Sequence, residues 1–258
     1  MKALGIDVGG TYLKVALFDG KKMRTSAMPT PKTFREFKKI LTEIVAVSGG
    51  KSITALGFGI PGQVDREKSR VIRCHNLPYL NGQDFKALAR NLGLSSSVGL
   101  KLDNDVRCHL NAELKFGGAK KYSSVVMIAI GTGIGGGIAF DGKIYYGQGK
   151  AGEIGKMVID AGQNYESLAA GKFLQKFDAV ELRRVAKYTG QACASIFNIL
   201  DPEAIILSGG VIQRDPQILK MVKNFMAPHL LRSKKIVEAK VVLSGFKEFG
   251  GAVGAAWL

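Results

Sequence analysis

Five clusters along the chain have residue types and spacings that could do chemistry. Asp7-Val8-Gly9-Gly10-Thr11 puts a carboxylate, two glycines and a hydroxyl in one short turn. Glycines let the backbone approach a phosphate, whose oxygens exposed N–H groups can cradle. Asp7 could hold a hydrated magnesium ion, a cation that favours a carboxylate with retained waters. Alone, this segment reads as well as a plain hairpin turn, and no Lys-Ser/Thr pair follows to make a P-loop. Gly131-Thr132-Gly133-Ile134-Gly135-Gly136-Gly137 follows an apolar strand directly. A dinucleotide fingerprint needs a helix there, but Ile138-Ala139-Phe140-Asp141-Gly142 reads as strand and turn. Gly209-Gly210, after a third apolar strand, offers another close backbone approach, suited to a nucleoside. At Asn104-Asp105, capping of a helix by Asp103 or Asn104 explains the local pattern. Asp105 could instead accept the proton of a hydroxyl attacking a γ-phosphate, with Asn104 on a neighbouring hydroxyl. Glu153 and Glu166 are candidate acceptors for sugar hydroxyls. Singly, each reads as a surface charge or a helix-start acid, and Lys156 as a solvated lysine.

The elements that must position these residues follow from apolar spacing. Residues 2–8 and 12–18 read as a hairpin, with a third strand near 23–28. Residues 33–47 carry Phe34, Phe37, Ile40, Leu41, Ile44 and Val45 at helical spacing. Strands are expected at 53–60 and 98–102, and helices at 84–92 and 105–116. In the second half, 124–130 is a strand, 131–137 a glycine-rich turn, and a strand begins at 137. Residues 166–188 read as mostly helical, 190–200 as a separate helix, and 204–208 and 237–243 as strands. A small-residue helix closes the chain at 251–258. Strand, glycine turn and strand thus recur near residues 1 and 125, which suggests two related α/β lobes.

The composition sets the bounds. The chain has 258 residues, with 33 Gly and 37 Lys+Arg against 21 Asp+Glu, for a net charge of +16. That charge raises the expectation of a polyanionic partner. The basic pairs Lys38-Lys39, Lys120-Lys121, Arg183-Arg184 and Arg232…Lys235 could track one, although solvated helix faces explain them more simply. No helix-turn-helix, zinc finger or aromatic-basic pattern is visible, so specific nucleic-acid binding is not expected. No run of 18 apolar residues or signal-peptide pattern occurs. The three cysteines, Cys74, Cys108 and Cys193, are scattered and form no CxxC pair. A cytoplasmic protein without a membrane partner is expected.

Taken in order, these segments resemble the ROK family (repressor, open reading frame, kinase). The resemblance rests on Asp7-Val8-Gly9-Gly10-Thr11, Gly59-Ile60-Pro61-Gly62 with Val64, Asn104-Asp105, and Gly131-Thr132-Gly133 with Gly135-Gly136. It continues through Gly152-Glu153-Ile154-Gly155, Glu166-Ser167-Leu168-Ala169, Asp201-Pro202, Leu207-Ser208-Gly209-Gly210-Val211 and the closing Gly250–Ala256 segment. It implies the α/β actin-like ATPase fold, with two ribonuclease-H-like lobes and a nucleotide and sugar cleft between them. The lobes would be 1–115 and 116–258, and the last helix could pack back on the first. The resemblance also implies ATP-dependent phosphorylation of a hexose at its 6-hydroxyl. Asp105 would be the catalytic base. Asn104, Glu153, Lys156 and Glu166 would bind the sugar, with the backbone at Gly62. Asp7, Gly9, Gly10, Thr11 and Lys14 would form the first phosphate loop, with Mg²⁺ held through water on Asp7. Gly131, Thr132 and Gly133 would form the second, and Gly209 and Gly210 would face the adenosine.

Many members carry a zinc-binding histidine where this chain has Lys156. They also have a cysteine cluster just before the position of Glu166, whereas residues 160–165 here contain no cysteine. No zinc is therefore expected, and sugar choice is open because lysine can only donate where a neutral imidazole can also accept. Glucose is the first expectation, an N-acetylhexosamine an alternative acceptor, and polyphosphate an alternative donor. A sugar-responsive nucleic-acid-binding regulator is the non-enzyme alternative, and a homodimer is the expected assembly.

Overall fold

A computed structural model describes residues 1–95, 97–215, 217–231 and 239–258. It divides into two compact units, Met1–Glu113 with Phe249–Leu258, and Leu114–Glu248.

The first unit is built on strands β1 (Ala3–Val8), β2 (Tyr12–Phe18), β3 (Met23–Pro29) and β4 (Ala55–Ile60). The ribbon β5 (Gln63–Asp65) and β6 (Arg70–Arg73) follows, and then β7 (Gly99–Asn104). The sheet order among the described residues is β3-β2-β1-β4-β7. β1, β2 and β3 are antiparallel, while β4 and β7 run parallel to β1. Every residue of β1 is buried, its apolar side chains and Asp7 alike. Helix α1 (Phe34–Val47) starts where Thr33 and Glu36 form a reciprocal capping box. It buries Phe37, Leu41, Ile44 and Val45, the face read from the spacing. Helices α2 (Phe85–Arg90) and α3 (Asp105–Phe116) complete this half of the chain.

The second unit repeats the plan. Its strands are β8 (Ser124–Ile130), β9 (Ile134–Phe140), β10 (Lys143–Tyr145), the ribbon β11 (Val158–Asp160) and β12 (Gln163–Asn164), then β13 (Ala204–Ser208) and β14 (Lys240–Leu243). The main sheet order among the described residues is β10-β9-β8-β13-β14, again with three antiparallel strands and two parallel additions. The helices are α4 (Tyr165–Ala169), α5 (Ala179–Leu200), α6 (Gly210–Gln213) and α7 (Ile218–Met226). The chain then rejoins the first unit as α8 (Gly250–Ala255).

Two expectations change. The glycine turn is shorter than 131–137, because β9 begins at Ile134 and Gly135, Gly136 and Gly137 pair with Ala129, Ile128 and Met127. A Cβ at Gly136 would lie 2.6 Å from the Gly152 carbonyl oxygen, so that strand glycine makes room for the neighbouring chain. The expected helices 166–188 and 190–200 are instead a short α4 and one continuous α5. Gly190 does not break α5. A Cβ there would lie 2.7 Å from the Val222 carbonyl oxygen, so glycine permits α5 and α7 to approach. Of the strand expected at 237–243, residues 237 and 238 lie outside the described residues, as does the basic run Arg232…Lys235.

Candidate functional site

In the first unit the predicted residues gather at the sheet end where β1, β4 and β7 finish. Asp7 lies opposite Lys14 on β2 and Gly59 on β4. Beyond β1 the chain turns through Gly9, whose N–H donates to the Tyr12 carbonyl at 3.0 Å. A Cβ on Gly9 would lie 2.6 Å from that same oxygen, so the tight turn requires glycine. Thr30 ties the turn to β3, with its Oγ1 donating to the Gly9 carbonyl at 2.6 Å and its N–H to the Thr11 carbonyl at 3.0 Å. Gly10 and Thr11 stay exposed.

β7 delivers Asn104, and α3 opens on Asp105. Asn104 Oδ1 accepts from the Val106 and Arg107 N–H groups at 3.0 and 3.3 Å, so Asn104 serves the helix start. Its Nδ2 donates to the Gly62 carbonyl at 3.2 Å. Gly62 has φ of +125°, where a Cβ would collide with the Arg73 carbonyl. Asp103 is buried and ion-paired with Arg66 at 3.2 Å and Arg107 at 3.5 Å. Its Oδ1 also accepts the Asn104 N–H at 2.7 Å. These bonds fix the backbone on which Asn104 and Asp105 sit.

Asp7 and Asp105 share this setting. A Cβ on Gly59 would lie 3.5 Å from Asp7 Oδ1 and 3.4 Å from Asp105 Cα, so Gly59 lies beside both residues. Burial pushes the Asp7 carboxyl up to about 7, with the Asp105 charge adding to the rise and Lys14 opposing it. Burial also raises Asp105, against the Val106 N–H and the positive charges of Lys14 and Arg107. Burial lowers the nearby His109 to about 4 and keeps it neutral.

In the second unit the turn after β8 is closed by the Gly131 N–H, which donates to the Gly133 carbonyl at 2.9 Å. The Gly131 carbonyl accepts the Gly171 N–H at 2.8 Å, and the Thr132 carbonyl accepts the Lys172 N–H at 3.2 Å. Glu166, on α4, reaches the same turn, its Oε2 accepting the Ile134 N–H at 3.0 Å. Oε1 accepts from Lys156 at 3.3 Å and from Lys172 at 2.9 Å. Burial would raise Glu166, but the Ile134 N–H, the Lys172 hydrogen bond and the two lysine charges outweigh it and hold it below its ordinary value. Glu153 is exposed at the start of a short 3₁₀ turn, Ile154–Lys156, and its carbonyl accepts the Lys156 N–H at 3.0 Å. Gly209 ends β13 at φ of +96°, packed on the Ile130 backbone at the head of the same turn, and Gly210 opens α6 in open space.

The predicted residues thus fall into two sets. Asp7, Gly9, Gly10, Thr11, Lys14, Gly62, Asn104 and Asp105 belong to the first unit. Gly131, Thr132, Gly133, Glu153, Lys156, Glu166, Gly209 and Gly210 belong to the second. Sequence reasoning missed Lys172, because a lysine six residues after Glu166 carries no pattern of its own. It also missed the buried support of Asp103 by Arg66 and Arg107, for which Arg107 four residues after Asp103 was the available signal. Among the described residues no group of three or more His, Cys, Asp or Glu could hold a metal ion, and no helix is long and apolar enough to cross a membrane.

Two α/β lobes with the same strand order, each with a glycine turn after a buried strand, define an actin-like ATPase fold. Within that class the chain belongs to the ROK family, whose pattern it matches over residues 3–173 and 172–258. It is 26% identical over 304 residues to an N-acetyl-D-glucosamine kinase of Haemophilus influenzae, covering 98% of each chain. It is also 26% identical over 307 residues to a glucokinase of Streptomyces coelicolor, covering 98% of this chain and 96% of that protein. Its fold is similar to a ROK family glucokinase from Streptomyces griseus solved with glucose and AMPPNP. The TM-score is 0.85 at 22% identity, covering 99% of this chain and 98% of that one.

Proposed function

We propose that this chain is a sugar kinase that moves the γ-phosphate of ATP to a hexose hydroxyl, with the 6-hydroxyl of glucose as the first candidate acceptor. N-acetylglucosamine is the other candidate, since the curated relatives matched over nearly their whole length include kinases named for each sugar. The observation that carries the reading is the buried Asp7 carboxylate with the half-buried Asp105 beside it, next to a glycine turn and an asparagine already bonded to a backbone carbonyl.

In this reading Asp105 accepts the proton of the attacking hydroxyl as its oxygen bonds to phosphorus and the bond to the ADP oxygen breaks. A raised carboxyl is a better proton acceptor near neutral pH than an ordinary one. Asn104 and the Gly62 backbone hold neighbouring hydroxyls, and Glu153, Lys156 and Glu166 hold the rest of the sugar. The turns Gly9–Thr11 and Gly131–Gly133, with Lys14, cradle phosphate oxygens, while Gly209 and Gly210 accommodate the nucleoside. A buried carboxylate that a neighbouring carboxylate's charge disfavours suits a hard cation, so Asp7 fits Mg²⁺ held through water. When bound, that ion would offset phosphate charge.

The test is ATP turnover against glucose, N-acetylglucosamine, N-acetylmannosamine, mannose and fructose. Wild-type protein should phosphorylate at least one sugar, and Asp105→Asn should lower kcat by about 10²–10⁴-fold while folding normally. Absence of turnover with all five sugars, or an Asp105→Asn variant as active as wild type, would refute the reading.

A further inference from the structure

Glu166 carries more contacts than a sugar-binding carboxylate needs. Its Oε2 is taken by the Ile134 N–H and its Oε1 by two ammonium groups, with Lys172 the nearer at 2.9 Å. The residue that supplies this ammonium also bonds the glycine turn through its own backbone, since its N–H donates to the Thr132 carbonyl. Gly171 does the same to Gly131. A Cβ on Gly171 would lie 2.7 Å from the Gly131 carbonyl oxygen, and one on Gly133 would lie 2.9 Å from Glu166 Oε2. The chain therefore closes a ring. It runs from Thr132 through the backbone and side chain of Lys172 to Glu166, and back through Ile134 to the turn. Glu166 is 17% exposed in its side chain and Lys172 is 42% exposed, so the pair is neither freely solvated nor sealed.

Resting on the reading of Glu166 as a sugar ligand and of Gly131–Gly133 as a phosphate loop, we propose that Lys172 is a positioning residue that locks the two together. Sugar bound at Glu166 and phosphate bound at the turn then stabilise the same arrangement of the ring. By linkage each ligand tightens the other, and equally so. Lys156 supplies charge to Glu166, but its side chain is 63% exposed, and among the described residues its hydrogen bonds run to Glu166 and the Glu153 carbonyl and not to the turn. Removing it should weaken sugar binding without uncoupling the sites.

The test is calorimetric titration of the full chain with glucose and with N-acetylglucosamine, with and without AMPPNP. AMPPNP should tighten sugar binding to wild-type protein several-fold. Lys172→Met should weaken sugar binding about five- to tenfold, as for loss of a partly exposed charged hydrogen bond. It should also remove most of the AMPPNP effect, and Lys172→Arg should restore both. Lys156→Met should weaken sugar binding yet keep the AMPPNP effect. A Lys172→Met variant with wild-type melting temperature, and with sugar affinity within twofold of wild type or an undiminished AMPPNP effect, overturns the proposal. Wild-type protein that binds sugar with no AMPPNP effect overturns this proposal alone, whereas absence of binding and turnover with all five sugars overturns the kinase reading and this proposal with it.

Discussion

At the scale of single residues, Asp7 holds the largest testable consequence. Burial and the Asp105 charge raise its carboxyl to about 7 in the folded chain, from an ordinary 3.8. Between about pH 4 and pH 7 the folded protein therefore keeps a proton that the unfolded chain has released. Stability tied to that proton falls as pH rises through this window and is lost above it. Asp7→Asn removes the buried charge, and relief of about 1–2 kcal/mol corresponds to about 2–6 °C in a chain of this length. The melting temperature of Asp7→Asn should exceed that of wild type at pH 8, and the gap should close near pH 4. Equal melting curves at both pH values would show that Asp7 is not strained by burial. The same variant should lose kinase turnover, because a neutral amide cannot hold a hydrated cation as a carboxylate does.

At the scale of elements, the closing helix α8 determines how the first unit is packed. It lies against β1, β2 and β4 and is made of glycine and alanine with one valine. Cβ atoms at Gly5 and Gly57 would run into the backbone of Ala252 and Ala255. A Cβ at Gly254 would meet the Cys108 carbonyl and lie 2.9 Å from the Ala112 N. Close approach of α8 to both sheet and α3 thus needs missing side chains on each partner. Asn111 adds polar ties, its Nδ2 donating to the Gly254 carbonyl at 2.9 Å and to the Trp257 carbonyl at 3.2 Å. Gly254→Val should lower the unfolding free energy by about 1–3 kcal/mol in urea titration, the usual cost of overpacking. Gly99→Ala, where a Cβ meets nothing within 4 Å, should change it by no more than about 0.5 kcal/mol. Similar values for the two variants would refute this account of the glycines. The sequence showed α8 as a run of small residues, but not which surfaces those residues match, because the partners are over a hundred positions away.

At the scale of the whole molecule, the charge of +16 is the least absorbed feature. Several basic side chains read as a possible polyanion track lie over rings of the chain itself. Lys38 sits 5.3 Å from the Phe34 ring centroid, Lys121 5.2 Å from that of Tyr122 and Arg183 5.2 Å from that of Phe225. Arg184 pairs with Glu181 at 2.7 Å. Such contacts suit solvated faces. ATP-driven turnover should therefore stay within about twofold from 0.1 to 1 M salt, although the Debye length shortens from about 10 Å to about 3 Å. Steep loss over that range would mean that distant surface charge steers the donor, as a polyphosphate substrate would require. Legibility in the sequence followed the range of the interactions. The hairpins, the apolar face of α1, the repeated strand–glycine–strand plan and the family pattern could all be read, since turns and apolar periodicity are set within a few residues. The chemical types at Asp7, Asn104, Asp105 and Glu166 could be read for the same reason. The tertiary structure alone decided that burial and the Asp105 charge raise Asp7, that Asp103 is held by Arg66 and Arg107, and that Gly190 joins α5 to α7 instead of ending a helix. It alone decided that Lys172 closes a ring from Glu166 to Thr132. Burial, charge coupling and close approach depend on which distant segments meet in space, and spacing along a chain does not encode that.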